Sequence, residues 1–379
     1  MAAILPPAML GIIGGGQLGR MFTVAAKTMG YRVTVLEPDP LSPAAEFADV
    51  HLCAPYGDEA ALKALGETCA AVTTEFENVD ANAMRALSAL TRVSPSGDCV
   101  AVAQDRISEK AWIGKAGLPT APYLALEGAD ALAGMSDDAL SAYLPGILKT
   151  ARLGYDGKGQ VRVKTPAEAR EAYGQLGVAC VLEKMLELKL EVSAIVTRVS
   201  DAQSAVFPLA ENRHEGGILD VSIVPARVAP ALAERAQAMA LALADALDYV
   251  GVLAVEFFVL ADDALVVNEI APRPHNSGHY TLTACVTDQF QQQVRAMCGL
   301  LPGKTTLLTP VVMVNLLGDV WQDDGGEPDW SVLMEAPNAQ LHLYGKREAR
   351  KGRKMGHFNV MADSADAALE QAEALKGTL

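Results

Sequence analysis

Cysteine, net positive charge and long uninterrupted apolar runs are scarce or missing in this sequence, and each gap excludes a class of protein. The 379 residues include six cysteines, Cys53, Cys69, Cys99, Cys180, Cys285 and Cys298. Their spacing forms no metal-ligand motif and their density no disulfide scaffold, which fits a reducing, cytoplasmic setting. No apolar stretch reaches membrane-spanning length without a charge. The apolar start, Ala-Ala-Ile-Leu-Pro-Pro, lacks the basic segment and the cleavage site of a signal peptide. Lys and Arg number 31 against 46 Asp and Glu, a formal net charge of −15, which argues against nucleic acid or an anionic membrane as partner. Low-complexity blocks are also absent. Half of the residues are apolar, enough at this length to build two or three globular domains. One basic concentration stands out: Lys346, Arg347, Arg350, Lys351, Arg353 and Lys354. It is either a solvated face or, in so acidic a chain, a focused phosphate or carboxylate site.

What is present begins with a βαβ pattern. Met9 to Ile13 reads as a buried strand, Gly14-Gly15-Gly16-Gln17-Leu18-Gly19 opens a helix through about Met29, and Arg32 to Glu37 is the next strand. The glycines and Glu37 fit a dinucleotide fingerprint. Their physical content is narrower: backbone that can approach an anion at a helix N-terminus. Alternation continues with a strand at 50–52, a helix over 58–67, a strand at 70–74 and a helix at 80–90, the last two joined through Glu75-Phe76-Glu77-Asn78. Carboxylates there lie in the crevice where open α/β sheets bind ligands, or simply start the following helix. Asp105-Arg106 opens a helix to Ala116, and a helix-like segment leads to the strand Gly146 to Thr150, which carries Lys149. Gly154-Tyr155-Asp156-Gly157-Lys158-Gly159-Gln160 then precedes a strand at 161–163, forming a flap whose amides and lysines can cover phosphates. It is no Walker loop. Strands follow at 181–186, 191–196 and 207–214, then an Ala-rich helix at 230–248, a helix at 286–298, strands at 311–317 and 340–344, and a helix at 364–375.

The most informative stretch is Val266-Val267-Asn268-Glu269-Ile270-Ala271-Pro272-Arg273-Pro274-His275-Asn276-Ser277-Gly278-His279. An apolar strand ends in Asn268-Glu269 and runs into a proline-stiffened, cationic loop. The preceding strand, Val255 to Leu260, carries Glu256. A hairpin centred on Asp262 and Asp263 places Glu256 opposite Glu269. Facing like charges are destabilising. A divalent cation would remove that repulsion, and magnesium at phosphate sites takes one or two carboxylates; two solvated glutamates are the alternative.

These segments, together with Gly352-Arg353-Lys354-Met355-Gly356-His357, resemble the signatures of the 5-(carboxyamino)imidazole ribonucleotide synthetase family, ATP-grasp ligases of purine biosynthesis, along essentially the whole chain. The resemblance implies an α/β and α+β architecture. Its parts are a doubly wound preATP-grasp domain over 1–105, ATP-grasp modules over 106–180 (with the flap) and 181–300, and a small C-terminal domain over 301–379. It implies a homodimer, with ATP, Mg2+, bicarbonate and 5-aminoimidazole ribonucleotide as ligands, and carboxylation of the exocyclic amine through carboxyphosphate. Arg106, Lys149 and the flap from Gly154 through Tyr155, Asp156, Gly157, Lys158, Gly159 and Gln160 would meet the phosphates. Glu183, Lys184, Met185, Leu186 and Glu191 would hold adenine and ribose, and His214 would line the nucleotide pocket. Glu256 and Glu269, with Asn268 nearby, would hold magnesium. Arg273, His275 and Asn276 would handle bicarbonate, and Gln17, Glu75, Tyr155, Asp156, Arg353 and Lys354 the aminoimidazole ribonucleotide, with Asp156 and Lys354 also counted as catalytic. Ala271 stands where many other ATP-grasp enzymes have asparagine. The sister reading is a formate-dependent glycinamide ribonucleotide transformylase. A NAD oxidoreductase would rest on residues 14–19 and Glu37 alone, and a silent nucleotide-binding regulator would leave the charged residues idle.

Overall fold

The structure, a computed structural model, describes residues 2–128, 130–154, 158–321 and 326–379. The chain starts with β1 (Met9–Ile13), α1 (Gln17–Thr28), β2 (Arg32–Leu36), β3 (Val50–Leu52), α2 (Glu59–Thr68), β4 (Ala71–Thr74), α3 (Ala81–Ser88), β5 (Arg92–Val93) and α4 (Gly97–Ala103). Its strands pair in parallel in the order β3-β2-β1-β4-β5. The order reverses between β1 and β4, so a crevice opens at their carboxyl ends. The glycine turn follows β1 and Glu75 follows β4, one on each side of that crevice. Asp58 and Asp80 cap α2 and α3 through their side chains, while Gly16 precedes α1 with no side-chain cap of its own.

α5 (Arg106–Lys115), capped by Asp105, leads into a four-stranded antiparallel sheet. It contains β6 (Tyr123–Leu126), β7 (Gly146–Thr150), β8 (Gln160–Val163) and β9 (Cys180–Lys184), in the order β6-β9-β7-β8, covered by α6 (Asp137–Ser141) and α7 (Pro166–Leu176). The helix-like segment of the sequence reading is thus a strand plus one short helix. The strand expected over 181–186 ends at Lys184, which leaves Met185 and Leu186 in the connection.

The largest sheet is built from β10 (Leu188–Ser200), β11 (Gln203–Val206), β12 (Ala210–Glu215), β13 (Ile218–Val224), β14 (Gly251–Leu260) and β15 (Leu265–Ala271), with α8 (Pro230–Ala246) between β13 and β14. After α9 (Thr281–Ala284) and α10 (Gln289–Met297) come β16 (Val311–Leu317), α11 (Ser331–Met334), β17 (Ala339–Leu343), β18 (Lys354–Met361) and α12 (Ala365–Lys376). The order β15-β14-β10-β12-β13-β16-β18-β17 runs without interruption from the β14-β15 hairpin into the C-terminal strands. The strand expected at 207–214 starts only at Ala210, because Pro208 lacks the N–H a ladder needs, and β11 precedes it unforeseen. Likewise the helix expected from 286 begins at Gln289, where the Asp288 carboxylate accepts the amides of Phe290 and Gln291.

Period-two alternation gives this sheet two different faces. Val192, Ala194, Val196, Leu253, Val255 and Phe257 pack against Leu232, Ala236, Ala240 and Leu243 of α8. On the opposite face, Ile195, Val252 and Ala254 meet Tyr280 and Ala284, whereas Glu191, Ser193 and Glu256 line the polar end. Phe290, Val294 and Met297 of α10 pack with Leu10, Ile12 and Val33, which joins the N-terminal sheet to the large one.

Candidate active site

The hairpin sets the centre. Glu256 pairs with Glu269 as expected, but the connection is a three-residue loop, with Asp263 at φ 62° and Leu260 bonded to Ala264. Near the loop Phe257 faces Val267, a register that would put Glu256 opposite Asn268 if it ran on unbroken. A β-bulge makes up the difference: Asn268 is the extra residue, and the register shifts between Phe257 and Glu256. Bulges re-aim side chains. Asn268 and Glu269, adjacent in sequence, both line the same cleft of about 1060 Å³.

That cleft also collects Gln17, Glu75, Arg106, Lys149, Gly154, Lys158, Gln160, Glu183, Lys184, Met185, Leu186, Glu191, His214, Glu256, Arg273, His275, Asn276, Arg353 and Lys354. Gly159, at φ 70° against Thr150, closes the flap's base on β7 and does not itself line the cleft. Tyr155, Asp156 and Gly157 lie outside the described residues.

At the Arg106 end of the cleft, Glu269 Oε2 accepts from Arg106 Nη1 at 2.8 Å. Burial works against ionising Glu269, but the charge and hydrogen bond of Arg106, with Lys149 behind, hold its carboxyl low. Burial and the charge of Glu269 push Glu256 the other way. The two carboxyls therefore titrate as an unequal pair. Asn268 Oδ1 is buried beside them with no hydrogen-bond partner among the described residues. Glu183 does more than border the cleft: Oε2 binds Lys149 at 3.0 Å and Oε1 lies 3.1 Å from Lys110, all three side chains being buried. Lys110 and Glu109, which accepts the Ile270 amide at 2.6 Å, were not legible as site residues, since both sit inside an ordinary helical pattern. Further along, His214 Nδ1 is 3.0 Å from Glu191. Burial alone would push His214 down, but that hydrogen bond and charge raise it.

The loop after β15 is held by Gln289, which accepts the His275 amide at 2.8 Å and donates to the His275 carbonyl at 2.8 Å and to His279 Nδ1 at 3.0 Å. The Nε of Arg273 donates to Glu77 Oε2 at 2.7 Å. Burial pushes Glu77 up, but Arg273 holds it below the usual range. His275 Nε2 lies 3.2 Å from Glu256 Oε1, and burial, Arg273 and Lys354 push this imidazole well below its ordinary value. Asn276 is buried with neither end of its amide bonded among the described residues.

On the crevice side, the anion expected at the glycine turn is a carboxylate of the chain itself. Glu75 accepts Gly16 N–H at 2.6 Å and Gly19 N–H at 2.7 Å, while Glu37 accepts Gly15 N–H at 2.7 Å. Gly19 is required there: a Cβ would lie 2.5 Å from the Gly14 carbonyl oxygen. The turn thus presents Glu75 to the cleft, and its glycine amides are already taken. Opposite it, Lys346 donates to the Lys354 carbonyl at 2.7 Å, and Gly352 donates to Asp319 at 2.6 Å, which pins the basic loop over Gly318.

Behind Lys354 the rings of His279, His342 and His357 cluster, His342 and His357 stacked at 4.5 Å. Burial lowers all three below the ordinary imidazole value. The unfolded chain takes up these protons near pH 6.5 and the folded one does not. Their stabilising contribution is therefore present above pH 6.5 and lost as pH falls below it. Buried Glu109, raised to about 8 by burial and Glu269, acts in the opposite sense, so the difference between variants is the clean measure. Urea unfolding of wild type and His357→Phe between pH 7.5 and 5 should diverge in slope by up to about 1.4 kcal/mol per pH unit; parallel curves would remove His357 from this account.

Residues 8–104 match the ribonucleotide synthetase preATP-grasp domain, 111–290 the ATP-grasp domain and 311–371 the phosphoribosylaminoimidazole carboxylase C-terminal domain. The chain is 45% identical over 364 residues to the N5-carboxyaminoimidazole ribonucleotide synthase of Bacillus subtilis (strain 168), covering 96% of this chain and 94% of the relative. It is 45% identical over 359 residues to the synthase of the same name from Brucella melitensis biotype 1, covering 94% and 96%. Among solved structures, the Staphylococcus aureus N5-carboxyaminoimidazole synthetase complexed with ADP superposes with a TM-score of 0.88 at 37% identity, over 99% of this chain and 98% of that one. The Aspergillus clavatus synthase, in complex with ADP and 5-aminoimidazole ribonucleotide, gives 0.87 at 32% over 98% of both chains. The chain belongs to the N5-carboxyaminoimidazole ribonucleotide synthase family of ATP-grasp ligases.

Proposed function

We propose that the chain joins bicarbonate to the exocyclic amine of 5-aminoimidazole ribonucleotide at the expense of ATP, releasing ADP and phosphate. The observation that carries this reading is the reach of Arg273. It follows Glu269 by one turn of loop, and its guanidinium meets Glu77 of the N-terminal domain at 2.7 Å. A group activated at the hairpin is thereby delivered to the crevice that Glu75 borders.

Arg106, Lys149 and Lys158 serve the phosphates, with Glu183 keeping Lys149 in place. Lys184, Met185, Leu186, Glu191 and His214 form the adenine and ribose end. Glu256, Glu269 and the bare Asn268 Oδ1 suit a hard cation with oxygen ligands, and Ala271 leaves that role to Asn268. A magnesium ion held there would neutralise charge developing on the β- and γ-phosphates. Arg273 grips bicarbonate through its fork, with Asn276 and His275 as partners. A bicarbonate oxygen attacks the γ-phosphorus as the bond to ADP breaks. The amine nitrogen then takes the carboxyl carbon as the carbon–oxygen bond to phosphate breaks. Gln17, Glu75, Arg353 and Lys354, with Tyr155 and Asp156, hold the ribonucleotide, and the flap excludes water from the acyl phosphate. The protein acts as a cytoplasmic homodimer. Among the described residues no helix is long and apolar enough to cross a membrane.

ADP release measured with and without the ribonucleotide, in bicarbonate-depleted and bicarbonate-replete buffer, tests this. Release should require bicarbonate and rise with the ribonucleotide. Equal release in depleted buffer, or its support by formate, would overturn the assignment.

A further inference from the structure

The polar end of the central sheet carries buried hydroxyl and amide groups that the reaction above does not use. Ser222 of β13 faces Asn212 of β12, and Ser193 of β10 faces Glu256 of β14. Directly paired residues share a face of the sheet, so all of them point to the cleft side. They are joined end to end. Ser222 Oγ donates to Asn212 Oδ1 at 2.8 Å, Asn212 Nδ2 to Ser193 Oγ at 2.9 Å, and Ser193 Oγ to Ser277 Oγ at 2.7 Å. Ser277 Oγ lies 2.8 Å from His275 Nδ1, and His275 Nε2 lies 3.2 Å from Glu256 Oε1. Ser193, Ser222 and Ser277 are fully buried and Asn212 is 5% exposed.

The direction of the chain is forced at its far end. The backbone N–H of Ser277 donates to His275 Nδ1 at 3.3 Å, so that nitrogen is an acceptor. The Ser277 hydroxyl must then donate to it as well, and can only accept from Ser193. Ser193 in turn accepts from the Asn212 amide, whose oxygen takes the Ser222 proton. Each group has one arrangement that satisfies its neighbours. The opposite imidazole tautomer would set Nδ1–H against the Ser277 amide N–H, two donors facing each other, and leave Nε2 with no proton to give. Which ring nitrogen carries the proton is set by what the other one bonds.

We propose that Ser277 and Ser193, backed by Asn212 and Ser222, are positioning residues that fix His275 as the Nε2–H tautomer, so that it faces the cleft as a hydrogen-bond donor. The inference rests on the role given to His275 above. In that role an Nε2–H can be passed from Glu256 to an oxygen of the bicarbonate-derived group when that group enters. Satisfying buried polar atoms of the sheet is the competing account, and it makes no demand on the imidazole tautomer.

The test uses full-length protein labelled with ¹⁵N-histidine, with the His275 signals assigned by their loss in His275→Asn. Wild type should show a bare Nδ1 and a protonated Nε2. Ser277→Ala keeps only the long 3.3 Å amide bond to Nδ1 and loses the 2.8 Å hydroxyl bond, so it should mix the tautomers and lower kcat for bicarbonate-dependent turnover about ten- to a hundredfold, with KM for ATP little changed. Ser193→Ala, one bond further back and independent of the loop, should shift both readouts in the same direction by less. Wild-type ¹⁵N signals in a folded Ser277→Ala or Ser193→Ala protein would overturn the proposal, whatever the activity. So would a shifted tautomer with unchanged turnover. A wild-type enzyme whose ADP release ignores bicarbonate would instead count against the function proposed above, which the tautomer measurement does not touch.

Discussion

Arg273→Ala is expected to bind ATP normally and to lose bicarbonate-dependent turnover by about a hundred- to a thousandfold, the cost of removing one preorganised donor from a developing anion. Arg273 is held on two sides: Nε donates to Glu77 at 2.7 Å and Nη1 to the Pro274 carbonyl at 3.3 Å. Such anchoring fixes the plane of the guanidinium before any anion arrives. Arg273→Lys should therefore rescue little, since an ammonium offers no planar fork. The substitution also removes the partner of Glu77. Breaking a fully buried pair costs about 3–5 kcal/mol; here both side chains keep about a fifth of their surface in solvent (19% and 23%), so a loss on the order of 2 kcal/mol fits better. Urea unfolding measures that loss separately, and a Glu77→Gln/Arg273→Ala double variant should regain part of it without regaining turnover. Lys354→Ala should also abolish carboxylation, through the ribonucleotide end. Near-normal turnover in Arg273→Ala would remove this residue from the chemistry.

Much of the fold was legible because its strongest signals are local. The βαβ start, the flap strands and the Ala-rich helix all have periodicity or punctuation that no tertiary context overrides. β13 and β18 were missed for different reasons. Ile218 to Val224 follows a glycine pair without a clean alternation to mark its start. Lys354 to Met361 begins inside the basic run, so its charge hid a strand whose next residues are all buried. The candidate site was legible as a set of residue types in a known order, yet three of its arrangements are tertiary. Asn268 and Glu269 share a face only because of a bulge. The glycine turn is filled by Glu75, brought from the end of β4, so the dinucleotide reading fails on an occupied anion site. Glu183 is committed to Lys110 and Lys149, and no spacing in the sequence reveals a lysine arriving from a helix. The hairpin register came out right although its loop was misjudged: a longer loop and a bulge cancel.

Glu269→Ala is expected to reduce ADP formation about a thousandfold or more while leaving the protein folded. The loss is large because one residue serves two charges. Its carboxylate fixes Arg106 at 2.8 Å and, in the function proposed here, supplies one of two acidic ligands to magnesium, and phosphoryl transfer depends almost wholly on such positioning and neutralisation. The fold should survive because Glu109 is poised to compensate. Burial and the charge of Glu269 raise Glu109 to about 8, with Arg106 pulling the other way. Removing Glu269 lets Glu109 ionise near neutral pH and take over as the partner of Arg106. Glu256 gives the same idea a second readout. Burial and Glu269 keep its carboxyl raised, so a cation binding there must displace a proton. Magnesium affinity in wild type should consequently strengthen as pH rises from 6 to 8, with proton release detectable in buffers of different ionisation enthalpy. Chelation by EDTA should stop ADP release, and excess magnesium should restore it in wild type but not in Glu269→Ala. Turnover that persists in EDTA, or a Glu269→Ala enzyme within tenfold of wild type, would separate this hairpin from the metal and leave its two facing glutamates unexplained.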